Sequence, residues 1–401
     1  MSEKKIGIID IGTSRIKLLV ISLDNQNYIQ IHSKQTVMTY GVKRGNVIDV
    51  NKLSFAIRQC VASSERELKF NLREIYVGLN SLNFQFKTFG LSRNIGSYRI
   101  ENKKDLQNLI NIGSSIFYQD HNDQEIIHFI NSGFYLDKNQ FVENPIGLKS
   151  KSLEVILSII SLDKNILENF DTAFKLSGLK VKKYFYSPYA SSMLSADQED
   201  LEKGFVNIDF GYDKTSVTIF DNSNIVFSKI LPIGSNHINN DLMKSIDIDK
   251  AISEKIKNNY EKLFTEKCKE FVSKNLNDKK ISPETIIKIV DARVEEIVEH
   301  VQRIIIFCKS KNKAANKIII SGGGSNLRRV KNKLEKFFNG NINYATQSFP
   351  IKNTEFDIFS DYMVCLGIAK LIYFPNKNEI KSFQHEKKGF FNKFYSLFLK
   401  S

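Results

Sequence analysis

Cysteine is scarce in this chain, and the little there is does not cluster. Cys60, Cys268, Cys308 and Cys365 are the only four in 401 residues, with no CxxC pair and no nearby histidine partner. That spacing argues against a zinc site or a disulfide framework and fits a reducing compartment. Long apolar runs are missing too. No stretch of about 18 apolar residues occurs, so no membrane-spanning helix is expected. The opening "MSEKKIGIIDIG" lacks the apolar core of a signal peptide. A cytosolic protein that can touch a membrane without crossing it is expected. Nucleic acid is not an expected partner despite the net charge of +14. The lysines are spread along the chain without interleaved aromatics, and a Lys-, Asn- and Ile-heavy composition accounts for them. A basic surface still favours anionic lipid or an acidic peptide.

What is present is material for a folded α/β protein. At 401 residues the chain exceeds what one hydrophobic core usually serves, so two large lobes or several subdomains are expected. "KKIGIIDIGTSRIKLLVISL" reads as a strand, a turn at Gly12-Thr13-Ser14 and a second strand. Leu53 to Leu68 has helical spacing. "EIYVGLNSLNFQFKTFGL" alternates, "NKKDLQNLINIGSSIFY" reads as a helix, and short strands follow in "EIIHFI", "GFYLD" and "SLEVILSIISL". Residues 79–160 thus form a strand-rich unit expected as an insertion. Asp163 is placed to cap a helix that Gly178 closes. "GFVNIDFGYDKTSVTIFDNSNIVFSKILPIG" then repeats the opening pattern some two hundred residues later, an internal duplication. Residues 236–285 read as helical and lysine-rich. From Ser282-Pro283, apolar positions at Val290, Val294, Ile297, Val301, Ile304 and Cys308 predict one long amphipathic helix. "NKIIISGGGSNLRRVKNKLEKFF" is strand, glycine turn, helix. "DYMVCLGIAKLIYF" is a last helix before the polar stretch "PNKNEIKSFQHE".

Three of these turns carry candidate chemistry. Small residues at Gly12, Thr13 and Ser14 let backbone N–H groups close on an anion, as a phosphate nest requires. Asp10 at the strand end is suited to a hydrated Mg²⁺ and Lys17 to phosphate charge. An ordinary tight hairpin would use the same residues. The second loop begins Asp209-Phe210-Gly211, and Gly322-Gly323-Gly324 follows the apolar strand "IIIS". A glycine turn there lets a flat adenine and ribose approach the backbone.

This constellation resembles the actin/Hsp70/sugar-kinase superfamily, and within it the bacterial FtsA family, over essentially the whole chain. "ENPIGLKSKSLEVILSIIS" resembles the end of that family's inserted subdomain, "LSGLKVKKYFYSPYASSMLS" the segment after it, and "SKILPIGSNHINNDLM" the entry to its outer subdomain. The resemblance implies a two-lobed, duplicated ribonuclease-H-like fold with a small α+β insert of the SHS2 type and a C-terminal amphipathic helix. It divides the chain into a first lobe (1–78 and 161–190, completed near 361–374) and the insert (79–160). A second lobe core (191–235 and 300–374), its outer subdomain (236–299), a flexible linker (375–389) and the terminal helix (390–401) complete it. It implies ATP and Mg²⁺ as cofactors, with Asp10, Gly12, Thr13, Ser14, Lys17, Asp209, Gly211, Lys214, Thr215, Gly322, Gly323 and Gly324 around the nucleotide and Asp10 and Asp209 near the metal. It also implies homopolymer filaments, later division proteins as partners, and a place at the cytoplasmic face of the inner membrane at the division site. The remaining implied partner is the C-terminal peptide of the tubulin homologue FtsZ. For that peptide, "IVDARVEEIVEH" matches the receiving helix, with Arg293 and Glu296 as contacts, although a solvated helix face would also carry such charges.

One stretch departs from the family. Where Asp-x-Gly-Gly-Gly-Thr is usual, this chain has "DFGYDKTS", so Tyr212, Asp213 and Lys214 replace glycines and a threonine. Asp213 repels phosphate unless Mg²⁺ or Lys214 offsets it. Nucleotide binding with weak turnover at most is expected, and no catalytic base for hydrolysis stands out. A pilus-assembly adaptor of the same superfamily is the alternative. A small-molecule kinase would need a carboxylate base beside a sugar pocket, for which no motif is found, and a chaperone would need a long domain after the last helix.

The end of the chain sets the adaptor apart. Seven of the eleven residues from Phe390 to Lys400 are apolar or aromatic. On a helical wheel of about 100° per residue, Phe390, Phe391, Phe394, Tyr395, Leu397 and Phe398 share one side. Lys387, Lys388 and Lys393 suit anionic headgroups. Packing onto the body is the other use of such a helix. The polar linker and Gly389 favour a foot that leaves the body for lipid.

Overall fold

The computed structural model describes residues 4–96, 98–100, 103–265, 281–309, 317–326, 328–338, 342–345, 350–352 and 356–380. The chain opens with strands β1 (Ile6–Ile11), β2 (Arg15–Leu23), β3 (Ile29–Met38), β4 (Val42–Lys43) and β5 (Asn46–Val47), then helix α1 (Val50–Leu68) and strand β6 (Glu74–Leu79). Next come β7 (Gln85–Asn94), α2 (Lys103–Asp120), β8 (Gln124–Leu136), β9 (Gln140–Val142) and β10 (Ser152–Asp163). They are followed by α3 (Lys164–Leu176), β11 (Lys180–Tyr186), α4 (Ser187–Ser195) and α5 (Gln198–Lys203). The second half holds β12 (Phe205–Phe210), β13 (Thr215–Asp221), β14 (Asn224–Leu231), α6 (Ser235–Ile246), α7 (Lys250–Asn258) and α8 (Pro283–Lys309). It closes with β15 (Lys317–Ser321), α9 (Arg328–Phe338), β16 (Ile342–Tyr344), α10 (Phe356–Asp361) and α11 (Met363–Tyr373).

The chain divides into two units, one of Met1–Phe84 with Ile166–Pro375, the other of Gln85–Asn165 with the chain from Asn376. The first unit contains two five-stranded sheets of one design. Their orders are β3-β2-β1-β6-β11 and β14-β13-β12-β15-β16. In each, three antiparallel strands lead into two parallel ones. The duplication legible in the two Asp-x-Gly turns therefore extends to whole sheets.

Local rules explain the helices. Asp49 caps α1, its carboxylate accepting from Lys52 N at 3.0 Å, which satisfies one of the first orphan N–H groups. Asp163 does the same for α3 through Asn165 N at 2.8 Å. The spacing read along the long helix faces its apolar stripe inward: Val290, Val294, Ile297, Val301, Ile304 and Cys308 of α8 join Val206, Ile208, Val217 and Ile219 of the second sheet in one core. Each such side chain stabilises by roughly 1.5–3 kcal/mol. The last helix occupies its expected stretch: α11 starts after Tyr362, whose hydroxyl pairs with Thr36 Oγ1 of β3 at 2.8 Å.

The second unit is a four-stranded antiparallel sheet, β7-β10-β8-β9. Its core gathers Leu106, Leu109, Ile110 and Phe117 of α2 with Phe129, Phe134, Val155, Leu157 and Ile159. "EIIHFI" and "GFYLD", expected as separate strands, form the single strand β8. It carries irregularities in its pairing with β10, one of them opposite Ile156/Leu157. There an extra residue on β8 bends the strand without ending it. The linker expected over 375–389 does not begin as loose chain. Asn131 N donates to Asn378 O at 2.9 Å and Ile380 N to Phe129 O at 2.8 Å, so residues 376–380 lie along β8 of this unit. Among the described residues no helix is long and apolar enough to cross a membrane.

Candidate functional site

The two Asp-x-Gly hairpins superimpose in register. Across β1 and β2, Asp10 pairs with Lys17 and Ile11 with Ile16; across β12 and β13, Asp209 pairs with Ser216 and Phe210 with Thr215. Gly12 and Gly211 hold the same place in each loop. A Cβ added to Gly12 would stand 2.7 Å from Arg15 O, and one on Gly211 2.8 Å from Lys214 O. Both turns are too tight for a side chain there.

The strand ends bring four charges together. Burial raises the Asp10 carboxyl, against the opposing pull of Lys17, a hydrogen bond from Ser187 Oγ at 3.2 Å, and Lys214. Burial, then the charge of Asp10, pushes Asp209 up to about 6, with Lys17 and Lys214 opposing. Burial lowers the Lys214 ammonium to about 8, against Asp213, Asp10 and Asp209. Two desolvated carboxylates therefore face two lysines. The third turn completes the wall: Gly322 has φ +86°, and a Cβ there would stand 2.2 Å from Asp209 Oδ1. Only glycine lets the backbone lie on that carboxylate. Gly324 rests on Phe210, whereas Gly323 has open space around its Cα.

Several expected site residues have other work. Thr215 is fully buried and donates its hydroxyl to Ile233 O at 2.8 Å, so it braces the loop and does not face a ligand. Lys17 Nζ donates to the Asp361 carbonyl. Lys214 Nζ donates to the main-chain carbonyl of Asn80, at the end of β6. For the first loop, Thr39 holds the backbone, its hydroxyl on Gly12 O at 2.8 Å and its N–H on Ser14 O at 3.0 Å. Thr13 and Ser14 are half-buried in that loop.

Other residues join that the sequence did not suggest. The carbonyls of Gly211 and Tyr212 accept from Ser235 N and Asn236 N, at 3.0 and 2.7 Å, tying the second loop to the start of α6. The Tyr212 ring lies 5.7 Å from Lys250 Nζ and 5.5 Å from Lys257 Nζ. Asn239 is fully buried and donates to Glu254 at 2.8 Å, and Glu254 also meets Lys257 at 3.3 Å. Asn239 Oδ1, Asn207 Nδ2, Ser216 Oγ and Asn80 Oδ1 are buried with no hydrogen-bond partner among the described residues. Buried polar atoms without partners are uncommon and call for an explanation. Asn207 and Ser216 share the sheet face of Asp209. Glycine walls, paired ammoniums and orphaned polar atoms suit a phosphorylated, hydroxyl-rich ligand such as a nucleotide. A divalent cation is fitted more loosely. Among the described residues no three acidic, His or Cys side chains gather to hold one, which leaves Asp10 and Asp209 with water as the remaining ligands.

On α8, Arg293 makes a two-pronged bond to Asp241 of α6, Nε to Oδ2 at 2.5 Å and Nη2 to Oδ1 at 2.9 Å. Its third nitrogen meets Glu296. The two expected peptide contacts thus bond each other. The expected membrane residues Lys387, Lys388, Phe390, Phe391, Lys393, Phe394, Tyr395, Leu397 and Phe398 lie outside the described residues.

Comparison with known proteins places this geometry. Residues 206–363 match a family model described as cell division protein FtsA, and residues 91–161 one described as the SHS2 domain inserted in it. The cell division protein FtsA of Buchnera aphidicola subsp. Baizongia pistaciae is 24% identical over 408 residues, covering 94% of both chains. That of Bacillus subtilis is 21% identical, covering 85% of this chain and 78% of its own. Among solved structures, a PilM-PilN type IV pilus biogenesis complex aligns over 92% of this chain and 98% of that chain at a TM-score of 0.66 and 15% identity. MreB5 of Spiroplasma citri bound to ADP aligns over 94% and 98% at 0.51 and 13% identity. At such identities the structures establish the fold alone, which is actin-like with an inserted SHS2 domain.

Proposed function

Because the chain belongs to the FtsA family, we propose that it is an ATP-binding, filament-forming actin homologue that ties the FtsZ ring to the inner face of the cytoplasmic membrane. Helping to recruit later division proteins belongs to the same reading. The observation that carries it is that the matched body and the matched insert occur together in one chain. A pilus-assembly adaptor shares the fold, but the two family matches favour division.

In this reading ATP lies between the Gly12 and Gly211 loops, with its adenosine toward Gly322–Gly324 and the Asn239–Glu254–Lys257 cluster. Where a divalent cation binds, Asp10 and Asp209 would be its protein ligands, and it would add counter-charge for the phosphates. The glycine backbones exclude side chains from the phosphate path, and Lys17 and Lys214 oppose its charge. The terminal foot, Phe390 to Phe398 with its lysines, enters lipid. One foot binds reversibly, and many on a filament bind together because effective concentration compounds weak contacts. Arg293 and Glu296 present the outer subdomain to the acidic FtsZ tail. Co-sedimentation with anionic liposomes, with ATP and with or without an FtsZ tail peptide, tests the whole. Binding should require the terminal helix, and the peptide should travel with the protein. Liposome binding indifferent to removal of residues 387–401 would overturn the tether.

A further inference from the structure

The two matching loops differ in one respect that bears on the metal. Arg15 in the first loop is exposed, whereas Lys214, at the same place in the second, is 5% exposed. Its ammonium crosses from the second sheet's loop to the first sheet and donates to Asn80 O. The backbone has been shaped to admit it. Gly45, at φ +82°, leaves room: a Cβ there would stand 2.6 Å from Lys214 Nζ and 2.0 Å from Asn80 O. No residue but glycine fits beside the ammonium.

Asp10 and Asp209 carry two negative charges, and Lys17 and Lys214 act on both. The four balance with no further ion. A divalent cation arriving here would be drawn by the carboxylates and repelled by the lysines, so the two effects oppose each other. A polyphosphate meets the reverse situation. An ammonium has three N–H donors, Asn80 takes one, and the charge is already desolvated and fixed in place. Preorganised charge of this kind costs no reorganisation when the ligand arrives.

We propose that Lys214 takes over the divalent cation's part in binding, so that a nucleoside triphosphate is held with Lys214 as its counter-charge and Mg²⁺ is dispensable. The proposal rests on the nucleotide reading above and names the residue that sets the site's metal requirement.

The test is titration of the full chain with a fluorescent ATP analogue, in Mg²⁺ and in excess EDTA, alongside Lys214→Thr and Lys214→Arg. The natural chain should lose no more than about threefold in affinity in EDTA. Lys214→Thr should lose at least about tenfold on metal removal, and Lys214→Arg should behave as the natural chain. A natural chain that binds in Mg²⁺ but not in EDTA overturns the proposal and leaves the nucleotide reading standing. Binding in neither buffer overturns the nucleotide reading itself. Lys214→Thr binding equally well in both buffers also overturns the proposal. The natural chain alone decides the first two outcomes, so a variant that fails to fold does not shelter the idea.

Discussion

His128 and Glu379, 251 residues apart, meet side chain to side chain at 2.9 Å, with 0% and 7% of their side chains exposed. The first is on β8 of the inserted unit, the second in the segment that leads away from the last helix. Lys377 adds an outer contact to Glu143 at 3.0 Å. Removing one member of a buried polar pair costs about 1–3 kcal/mol. Glu379→Ala should therefore release residues 376–380 while leaving the rest of the fold in place. Trypsin needs the chain locally unfolded around its target, so cleavage after Lys377 should speed up several-fold in the variant. Equal rates in the two proteins would count against a held segment.

Much of this was legible in sequence, and the illegible part has a common cause. The paired hairpins announced themselves because an Asp-x-Gly turn between apolar strands is a local pattern. The stripe of α8 is equally local, since helical periodicity alone sets which side chains face inward. The contacts that gave Lys214, Thr215, Arg293 and Glu379 their partners are not. Lys214 reaches Asn80 across 134 positions and Arg293 reaches Asp241 across 52. No spacing rule foretells which carbonyl or carboxylate a long side chain will find. Gly45 sat in an ordinary-looking turn, "KRGN", and only the ammonium beside it shows why a side chain is barred there.

Gly367 of α11 marks a close helix crossing. A Cβ there would stand 2.0 Å from Ala190 O and 2.5 Å from its carbonyl carbon, on α4. Backbone cannot move aside as a side-chain tip can, and overpacking of this kind costs about 1–3 kcal/mol. Gly367→Ala should lower the melting temperature by several degrees, and Gly367→Val should lower it further. A variant melting with the natural protein would show that the two helices are free to separate.

Lys370 ties the same two helices. Its ammonium donates to Met193 O at 2.6 Å and Ala196 O at 3.4 Å, at the end of α4. Burial lowers it to about 8 from the usual 10.5, against the pull of Asp197. Between those values the unfolded chain holds a proton that the folded chain has released. Stability therefore rises with pH across this window, by at most about 1.4 kcal/mol per unit from this one group. Below pH 8 both states are charged and the contribution is flat. Urea unfolding at pH 7.5, 8.5 and 9.5 should show the natural chain gaining on Lys370→Met as pH rises. A difference that stays constant over the series would show that Lys370 titrates normally in the fold.

Arg293 offers the sharpest test of peptide binding on α8. Its guanidinium is already engaged by Asp241, and hydrogen bonding to that carboxylate holds its pKa up. In the function proposed above, an incoming acidic tail would compete with Asp241 for the same planar fork, and two-pronged guanidinium–carboxylate pairs are the strong ones. Asp241→Asn removes the negative charge that competes, so tail affinity should rise by about three- to tenfold. Arg293→Glu reverses the sign at the contact and should lower affinity by more than about tenfold. Fluorescence anisotropy of a labelled FtsZ tail peptide measures both, and melting temperatures of the two variants check that the fold is kept. Because the pair is only partly buried, higher salt should narrow the gap between Asp241→Asn and the natural chain. If Asp241→Asn weakened the peptide instead, Asp241 would be holding Arg293 in its binding posture, and the competition argued here would be wrong.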